Sequence, residues 1–258
     1  MEKKGEQGIQ IQSVNRAIQI LNLYRTYGEL GVVEIAQKLG LNKSTAYGLI
    51  NTLQSNDFLE QVEGTKKYRL GISLFELGEA FLSRVDVVSE IKQLFAPLVD
   101  KYPVTIHIAS HRHGNVIYLD KIDKGTSLIR TSNVGKSAPM YCTGVGKAML
   151  AYLPEEYLEK YIYSAPFIPF TPNTITSRER LKMELDQVRE TGVAVDRNEV
   201  EMGLSCVAAP ILTREGLPEY AVSLSFAYQR IEEFDLIEVE RDLLKCTNYI
   251  SKKIGYTK

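Results

Sequence analysis

Residues 30–53 predict two short helices separated by a tight turn. Apolar side chains recur along one face of each helix, at the i, i+3, i+4 spacing of helices with one buried side. These residues are Ile35, Ala36 and Leu39 in the first helix and Ala46, Leu49, Ile50 and Leu53 in the second. Gly40 stands where a left-handed residue ends helices, and Asn42 is placed to cap the next helix. The segment therefore predicts a helix-turn-helix, the feature that most constrains the fold.

A third helix and a hairpin are predicted on either side of this pair. Ser13 is placed to cap the upstream helix. Its expected apolar face is Val14, Ala17, Ile18, Leu21 and Tyr24. Residues 58–62 and 67–70 are predicted strands, with Gly64 available for their turn. Helices followed by such a hairpin form a winged helix-turn-helix, which we expect to span residues 1–71.

The exposed side chains of the second helix and the wing suit double-stranded DNA. They are Lys43, Ser44, Thr45, Tyr47 and Asn51 on the helix, and Lys66, Lys67 and Arg69 on the wing. Such groups donate hydrogen bonds to phosphates and base edges when a recognition helix enters the major groove. The net charge of −1 supplies no attraction from the whole molecule, so these local groups must provide the affinity.

The remainder of the chain predicts a linker helix over residues 72–88 and a mixed domain over residues 89–258. Period-two alternation predicts strands at 105–111 and 116–122, and further strands are expected at 127–132, 206–212 and 219–226. Helical patterns fall at 146–152, 154–164, 178–191 and 233–254. We expect an α+β fold class with a sensor-type C-terminal domain.

Composition excludes several classes of protein. We find no apolar run of about 18 residues and no apolar signal region at the start, so a cytoplasmic protein without membrane contact is expected. Cys142, Cys206 and Cys246 are odd in number and widely spaced. This predicts reduced thiols rather than a disulfide framework or a metal site, and no cofactor is expected.

Four segments together carry a recognisable pattern. They are Lys43 to Tyr47, GKSAPMYCTGVGKAMLA at 135–151, FTPNTIT at 170–176 and VDRNEVEMGLSCVAAPI at 195–211. In this order they resemble the isocitrate-lyase-regulator (IclR) family of bacterial transcription factors. The resemblance implies a winged-helix domain, a linker helix and a GAF-like domain that binds a small carboxylic or sugar-acid effector. It also implies a homodimer or homotetramer.

The resemblance places the effector site at Gly144, Val145, Asp196, Leu204 and Cys206. Glycines at 135, 144 and 146 would let backbone N–H groups approach a ligand, and a helix after Gly146 would favour an anion at its start. Arg130 is a further candidate, because a guanidinium pairs with both carboxylate oxygens. The alternative for Arg130 is a solvated strand face.

Three positions differ from the family pattern. Gly48 stands where an arginine is frequent in the recognition helix, which removes a phosphate or base contact and costs about 1 kcal/mol of helix propensity. Tyr141 replaces a frequent histidine, and 197–199 read Arg-Asn-Glu in place of an acidic pair. DNA contacts and effector identity therefore cannot be copied from the family.

Two other functions compete with a metabolite-responsive repressor of a catabolic operon. Cys206 with His107, His111 or His113 as its base would make a thiol enzyme, and the same histidines could bind a metal. We expect instead an inert core cysteine and solvated histidines, hence no enzyme and no metal. The other alternative is an effector-free architectural DNA-binding protein.

Overall fold

A computed structural model describes residues 10–83, 86–123, 134–227 and 233–257. The chain divides into two compact units, Met1–Val85 and Asp86–Lys258. Helices and antiparallel sheets occur in both units, so the predicted α+β class is confirmed. Arg130 and the strand predicted at 127–132 lie outside the described residues.

The first unit contains the three predicted helices and the wing. Its elements are α1 (Gln12–Leu23), β1 (Leu30–Gly31), α2 (Val32–Leu39), α3 (Lys43–Ser55), β2 (Leu59–Gln61), β3 (Lys67–Leu70) and α4 (Ser73–Ser83). The wing strands β2 and β3 pair antiparallel, and the short β1, which the sequence did not predict, pairs with the other edge of β3. The wing is thereby held against the body of the unit.

The turn between α2 and α3 has the predicted backbone but not the predicted cap. Gly40 has φ 62° in the left-handed region, as a residue ending a helix requires. Asn42 occupies the N-cap position of α3 with extended backbone, but its side chain makes no capping hydrogen bond. The Asn42 carbonyl does accept the first helical bond from Ala46 N at 3.0 Å.

The prediction for α1 was wrong in its start and in part of its buried face. The helix starts at Gln12 with Ile11 at the N-cap, so Ser13 lies inside the first turn. Tyr24 is buried as predicted, but Val14 and Ile18 are 53% and 51% exposed, and the buried Ile20 was not predicted. Positions 17, 20, 21 and 24 also fit the helical period, and this stripe packs on the core.

The linker region also differs from its prediction. The helix α4 covers only part of it, and residues 86–88 form the first turn of α5 (Asp86–Lys101), in which Val88 is buried. On α4, Phe75 and Leu77 are exposed.

The second unit is built on a six-stranded antiparallel sheet of order β6-β5-β4-β9-β8-β7. Its strands are β4 (Thr105–Arg112), β5 (Asn115–Ile122), β6 (Ser137–Pro139), β7 (Ala194–Arg197), β8 (Leu204–Leu212) and β9 (Pro218–Ala227). Besides α5, its helices are α6 (Gly144–Leu150), α7 (Glu155–Tyr161), α8 (Arg178–Thr191) and α9 (Leu236–Lys253). The sequence predicted α8 to the residue but missed β6 and β7.

Helices α6 and α9 both pack on β8, and that strand is buried along nearly its whole length. Small residues of the sheet, among them Ala208 and Ala221, pack against Val145 and Met149 of α6. Because alanine side chains are short, α6 lies close to the sheet, and its start adjoins the polar side chains described below. Among the described helices, none is long and apolar enough to cross a bilayer.

Candidate functional site

The first candidate site is the exposed face of α3. Lys43, Ser44, Tyr47 and Asn51 are exposed, as predicted from the helical period. Thr45 is half-buried, so it is less available than predicted.

An open groove of about 850 Å³ runs between α3 and the wing. Its lining comes from Lys43, Ser44 and Tyr47 of α3, from Gln61, Lys66 and Tyr68 of the wing, and from residues 31–34, which include Glu34. The structure therefore brings two of the predicted basic side chains to one groove. The predicted residues Asn51, Lys67 and Arg69 lie outside its lining.

The wing carries its positive charge unevenly. Lys66, Lys67 and Arg69 are all exposed, but Arg69 forms an ion pair with Glu60, its cross-strand partner on β2. A guanidinium already paired with a carboxylate attracts a phosphate less strongly. Lys66 is therefore the best placed of the three for a phosphate beside the groove.

The second candidate site is a cavity of about 50 Å³ beneath the start of α6. It is lined by His107, Tyr118, Ala138, Thr143, Gly144, Val145, Asp196, Val200, Leu204, Cys206, Ser223 and Ser225. The five effector residues carried over from the family, Gly144, Val145, Asp196, Leu204 and Cys206, thus lie together in it. Arg130 lies outside the described part of the chain.

Asp196 brings a buried carboxyl group to the cavity. Its side chain is on β7, the residue is 3% exposed, and Oδ1 accepts a hydrogen bond from Glu199 N at 2.7 Å. The pKa of Asp196 is raised to about 7, chiefly by burial and to a lesser extent by the charge of Glu199, while the Glu199 N–H and Lys147 lower it. Near neutral pH this carboxyl can therefore be a donor or an acceptor.

Ser225 links two other cavity residues. Its Oγ lies 3.1 Å from His107 Nδ1 and accepts a hydrogen bond from Cys206 Sγ at 3.1 Å. Burial lowers the pKa of His107 to about 4 and raises the pKa of the Cys206 thiol above its usual range. At neutral pH the pair is a neutral imidazole and a thiol, which is a poor nucleophile.

Gly144 and Gly146, two of the three glycines predicted for the loop, have packing roles, whereas a Cβ at Gly135 would meet no atom within 4 Å. A Cβ at Gly144 would lie 3.3 Å from Ala208 Cβ and 3.4 Å from Cys206 Cβ. At Gly146 it would collide with the backbone of Met140, which lies in the 3-10 turn before α6. The prediction that the helix starts after Gly146 was wrong. It starts at Gly144, and Thr143 caps it by accepting from Gly146 N.

Lys147 lies behind the cavity, and the sequence did not single it out. It is 0% exposed, and its ammonium group donates to Glu199 Oε1 at 2.5 Å, Val195 O at 2.7 Å and Glu184 Oε1 at 2.9 Å. Burial of a charge is tolerated only with such partners. The network joins α6 to α8 and to the segment that follows Asp196.

The FTPNTIT segment holds that same segment from the other side. Thr171 Oγ1 donates to Asn198 O at 2.5 Å, and Thr174 Oγ1 donates to Glu199 O at 2.6 Å. Asn198 has φ 61°, and its Oδ1 accepts from Gly203 N at 2.7 Å. Asparagine tolerates this left-handed backbone. The loop that leads from Asp196 to β8 is therefore fixed by hydroxyl and amide bonds.

Tyr141, one of the departures from the family pattern, pins the neighbouring loop. Its hydroxyl donates to Ile168 O and accepts from Ile168 N, both at 2.8 Å. Its ring stacks edge-on against Phe167. Tyr141 does not line the cavity.

The expectation of solvated histidines was wrong for two of the three. His107 is buried at the cavity, and His111 is half-buried with Nδ1 3.1 Å from the Tyr157 hydroxyl. His113 is exposed and stacks on Tyr161. The sequence did contain a signal for the buried polar groups of the cavity, because His107, Ser223 and Ser225 are polar residues that alternate with apolar ones along their strands. Within the described segments, no group of side chains is arranged to hold a metal.

Comparisons with known proteins agree with this architecture. The family model described as IclR helix-turn-helix domain matches residues 13–63, and the model for the bacterial transcriptional regulator IclR C-terminal domain matches residues 79–252. The regulator XynR of Escherichia coli K12 is 34% identical over 247 residues, covering 95% of this chain and 98% of XynR. KdgR of the same organism is 32% identical over 250 residues, covering 96% and 95%.

A solved structure shows the same fold. The Thermotoga maritima IclR structure superposes with a TM-score of 0.74 at 31% identity, covering 96% of this chain and all of that one. These relatives are regulators, and the chain is not an enzyme. The predicted resemblance is confirmed: the chain belongs to the IclR family of bacterial transcriptional regulators and binds DNA through a helix-turn-helix domain.

Proposed function

We propose that this protein is a metabolite-responsive repressor of a catabolic operon, with a small organic or sugar acid as its effector. The observation that supports an effector is the polar cavity beneath α6. An architectural DNA-binding protein would gain stability by filling such a space with apolar side chains. A buried carboxyl group and buried hydroxyls around an open volume favour a bound polar molecule instead.

The size and lining of the cavity support a short acid. A water molecule needs about 10–15 Å³ of such volume, so a cavity of about 50 Å³ holds a molecule of few non-hydrogen atoms. Ser223, Ser225 and Tyr118 can donate to carboxylate, oxo or hydroxyl oxygens. With its raised pKa, Asp196 can be protonated and donate to an effector carboxylate.

The DNA complex we propose places α3 in the major groove and the wing along the flanking backbone. Lys43 and Lys66 would contact phosphates, and Ser44, Tyr47 and Asn51 would contact base edges or position the helix. Thr45, Lys67 and Arg69 are secondary candidates on the geometry above. One helix per major groove implies a palindromic double-stranded operator bound by a homodimer or homotetramer. As a partner of chromosomal DNA, the protein would act in the cytoplasm.

Effector control follows if the acid binds two arrangements of the protein with different affinity. The acid can change the free energy of operator binding by at most the difference between its own binding free energies for the two arrangements. The predicted linker, residues 72–88, connects the two predicted domains and would transmit the change. We propose repression because it requires only that the bound protein occupies promoter DNA.

A thermal-shift panel tests the effector assignment. The purified chain is melted with glyoxylate, pyruvate, gluconate and 4-hydroxybenzoate, one at a time. An acid at about 100 times its Kd adds about 2.7 kcal/mol to the free energy of unfolding, which raises the Tm by several degrees. We expect one acid class to stabilise the wild type and to lose its effect in Asp196→Ala and Cys206→Ala.

Lys182→Ala is the matched control, because Lys182 is exposed on α8 and does not line the cavity. It should keep the full shift. A shift that survives both cavity substitutions would place the effector elsewhere. The absence of any shift across the panel would contradict the acid effector and leave DNA binding untouched.

A further inference from the structure

Gly48 lies at the centre of the exposed face of the recognition helix. Ser44, Tyr47, Gly48 and Asn51 follow one another at helical spacing along α3, and all four are exposed. The opposite face, which includes the buried Ile50, packs on the core. A side chain at position 48 would therefore point away from the protein.

Nothing in the described structure requires glycine at this position. Gly48 is not among the residues with positive φ, and a Cβ built on it meets no atom within 4 Å. Its carbonyl accepts from Thr52 Oγ1 at 2.9 Å, a bond that any residue at 48 could accept. Glycine inside a helix costs about 1 kcal/mol relative to alanine, so the folded chain alone would be more stable without it.

Other glycines of the same chain show what an internal requirement looks like. A Cβ at Gly71 would collide with the Asp57 carbonyl, and a Cβ at Gly146 with the backbone of Met140. Position 48 has no such neighbour. Because the fold does not require glycine at position 48, we attribute the glycine to a binding partner. The face of α3 on which Gly48 lies is the one that would contact DNA.

We propose that Gly48 determines operator specificity by letting the α3 backbone lie against the base edges in the major groove. This inference rests on the proposed function. Where a side chain would hold the helix away from the floor of the groove, glycine permits close approach of backbone to ligand. Tyr47 and Asn51, its neighbours on the exposed face, then reach base edges from a deeper position.

Selection from a random duplex library tests the proposal. The full-length wild type is used to enrich sequences from random 30-base-pair DNA, and the enriched duplex becomes the probe. Gly48→Ala should raise the Tm, yet weaken binding to the enriched duplex by about tenfold. That loss is on the scale of one good base contact. Binding to unselected duplex at low salt should change less than about threefold, since phosphate contacts remain.

Gly28→Ala is the control, because Gly28 is exposed in the same unit outside α3 and the wing, has no positive φ, and a Cβ there also meets no atom within 4 Å. It should bind the enriched duplex like the wild type. Unchanged affinity and consensus for Gly48→Ala would overturn the proposal, and so would an equal loss on both duplexes. A wild type that enriches no sequence would overturn the proposed function and this inference together.

Discussion

The two candidate sites begin at two helices that differ in almost every physical respect. On α3, the predicted site residues Lys43, Ser44 and Tyr47 are exposed. On α6, every residue from Gly144 to Leu150 is buried, and the Lys147 ammonium group has three hydrogen-bond partners. The candidate DNA-binding face is a surface available to a partner, whereas the candidate effector cavity is part of a packed core.

This difference predicts different responses to mutation. On an exposed face, each side chain acts alone, so substitutions change DNA affinity in small separate steps and leave the fold intact. In a buried network, removal of one group leaves its partners uncompensated, so effects on stability are large and coupled. Three experiments test the contrast, from the largest expected effect to the smallest.

Lys147→Met should have the largest effect. It leaves Glu199 buried without its cation, and breaking a buried ion pair in this way costs about 3–5 kcal/mol. Urea unfolding of the second unit measures the loss. The exposed Lys182→Met on α8 is the control and should change the free energy of unfolding by less than about 0.5 kcal/mol.

The double variant Lys147→Met with Glu199→Gln distinguishes charge from shape. If the uncompensated carboxylate is the cause, the double variant should recover part of the loss. If the double variant is no more stable than Lys147→Met, the loss of stability comes from packing alone. The charged network would then no longer support the contrast between the two sites.

Helical periodicity indicated which residues of α3 are exposed, whereas the residues of the cavity came from the family resemblance, and the reason is physical. Helical period alone tells which residues of α3 face outward, because that pattern is local. The cavity joins residues from distant segments, such as His107 on β4 and Ser225 on β9, and only strand pairing brings them together. Asp196 and Cys206 were found through the family motif. Lys147 was missed, although a lysine among apolar neighbours is itself a signal.

The same limit appears in the fold. The helix α8 was predicted to the residue, since Ser177 caps its start and Gly192 ends it with φ 78°. The strand β7 was missed because four residues carry too little periodicity to stand out. The buried face of α1 was wrong at Val14 and Ile18, because two overlapping stripes fitted the same period and the local pattern cannot choose between them.

Asp196→Asn should have a smaller, pH-dependent effect on stability. In the folded protein the pKa of Asp196 is raised from 3.8 to about 7, so the folded state binds this proton more tightly than the unfolded state. The stability it contributes is present below about pH 4 and is lost as pH rises to about 7. Asparagine keeps an oxygen for the Glu199 N–H but does not titrate.

Urea titrations of both proteins at about pH 5 and about pH 8 measure this effect. Relative to the wild type, the variant should gain on the order of 2 to 3 kcal/mol between these pH values. Groups that titrate in both proteins, such as His107, contribute equally to both unfolding free energies, so their contributions cancel in the difference. A gain independent of pH would mean that Asp196 does not titrate in this range, and the cavity would lose its proposed donor.

Lys66→Ala should have the smallest effect and none on stability. Removal of one phosphate contact should lower the slope of log K against log salt by about one unit, equally on all sequences. Fluorescence anisotropy with the enriched duplex at several salt concentrations measures the slope, with the exposed Lys182→Ala as a control of equal charge. A changed sequence preference would contradict the assignment of the wing to the backbone.

Adding Lys43→Ala to Lys66→Ala tests the comparison directly. The two side chains line one groove, and if each contacts its own phosphate, their effects on the slope should add to about two units. Additivity here, beside non-additivity at Lys147 and Glu199, would establish that the exposed site works by separate contacts and the buried one as a unit. Strong coupling between the two lysines would instead show that the groove closes on DNA as one body, and the contrast between the sites would fail.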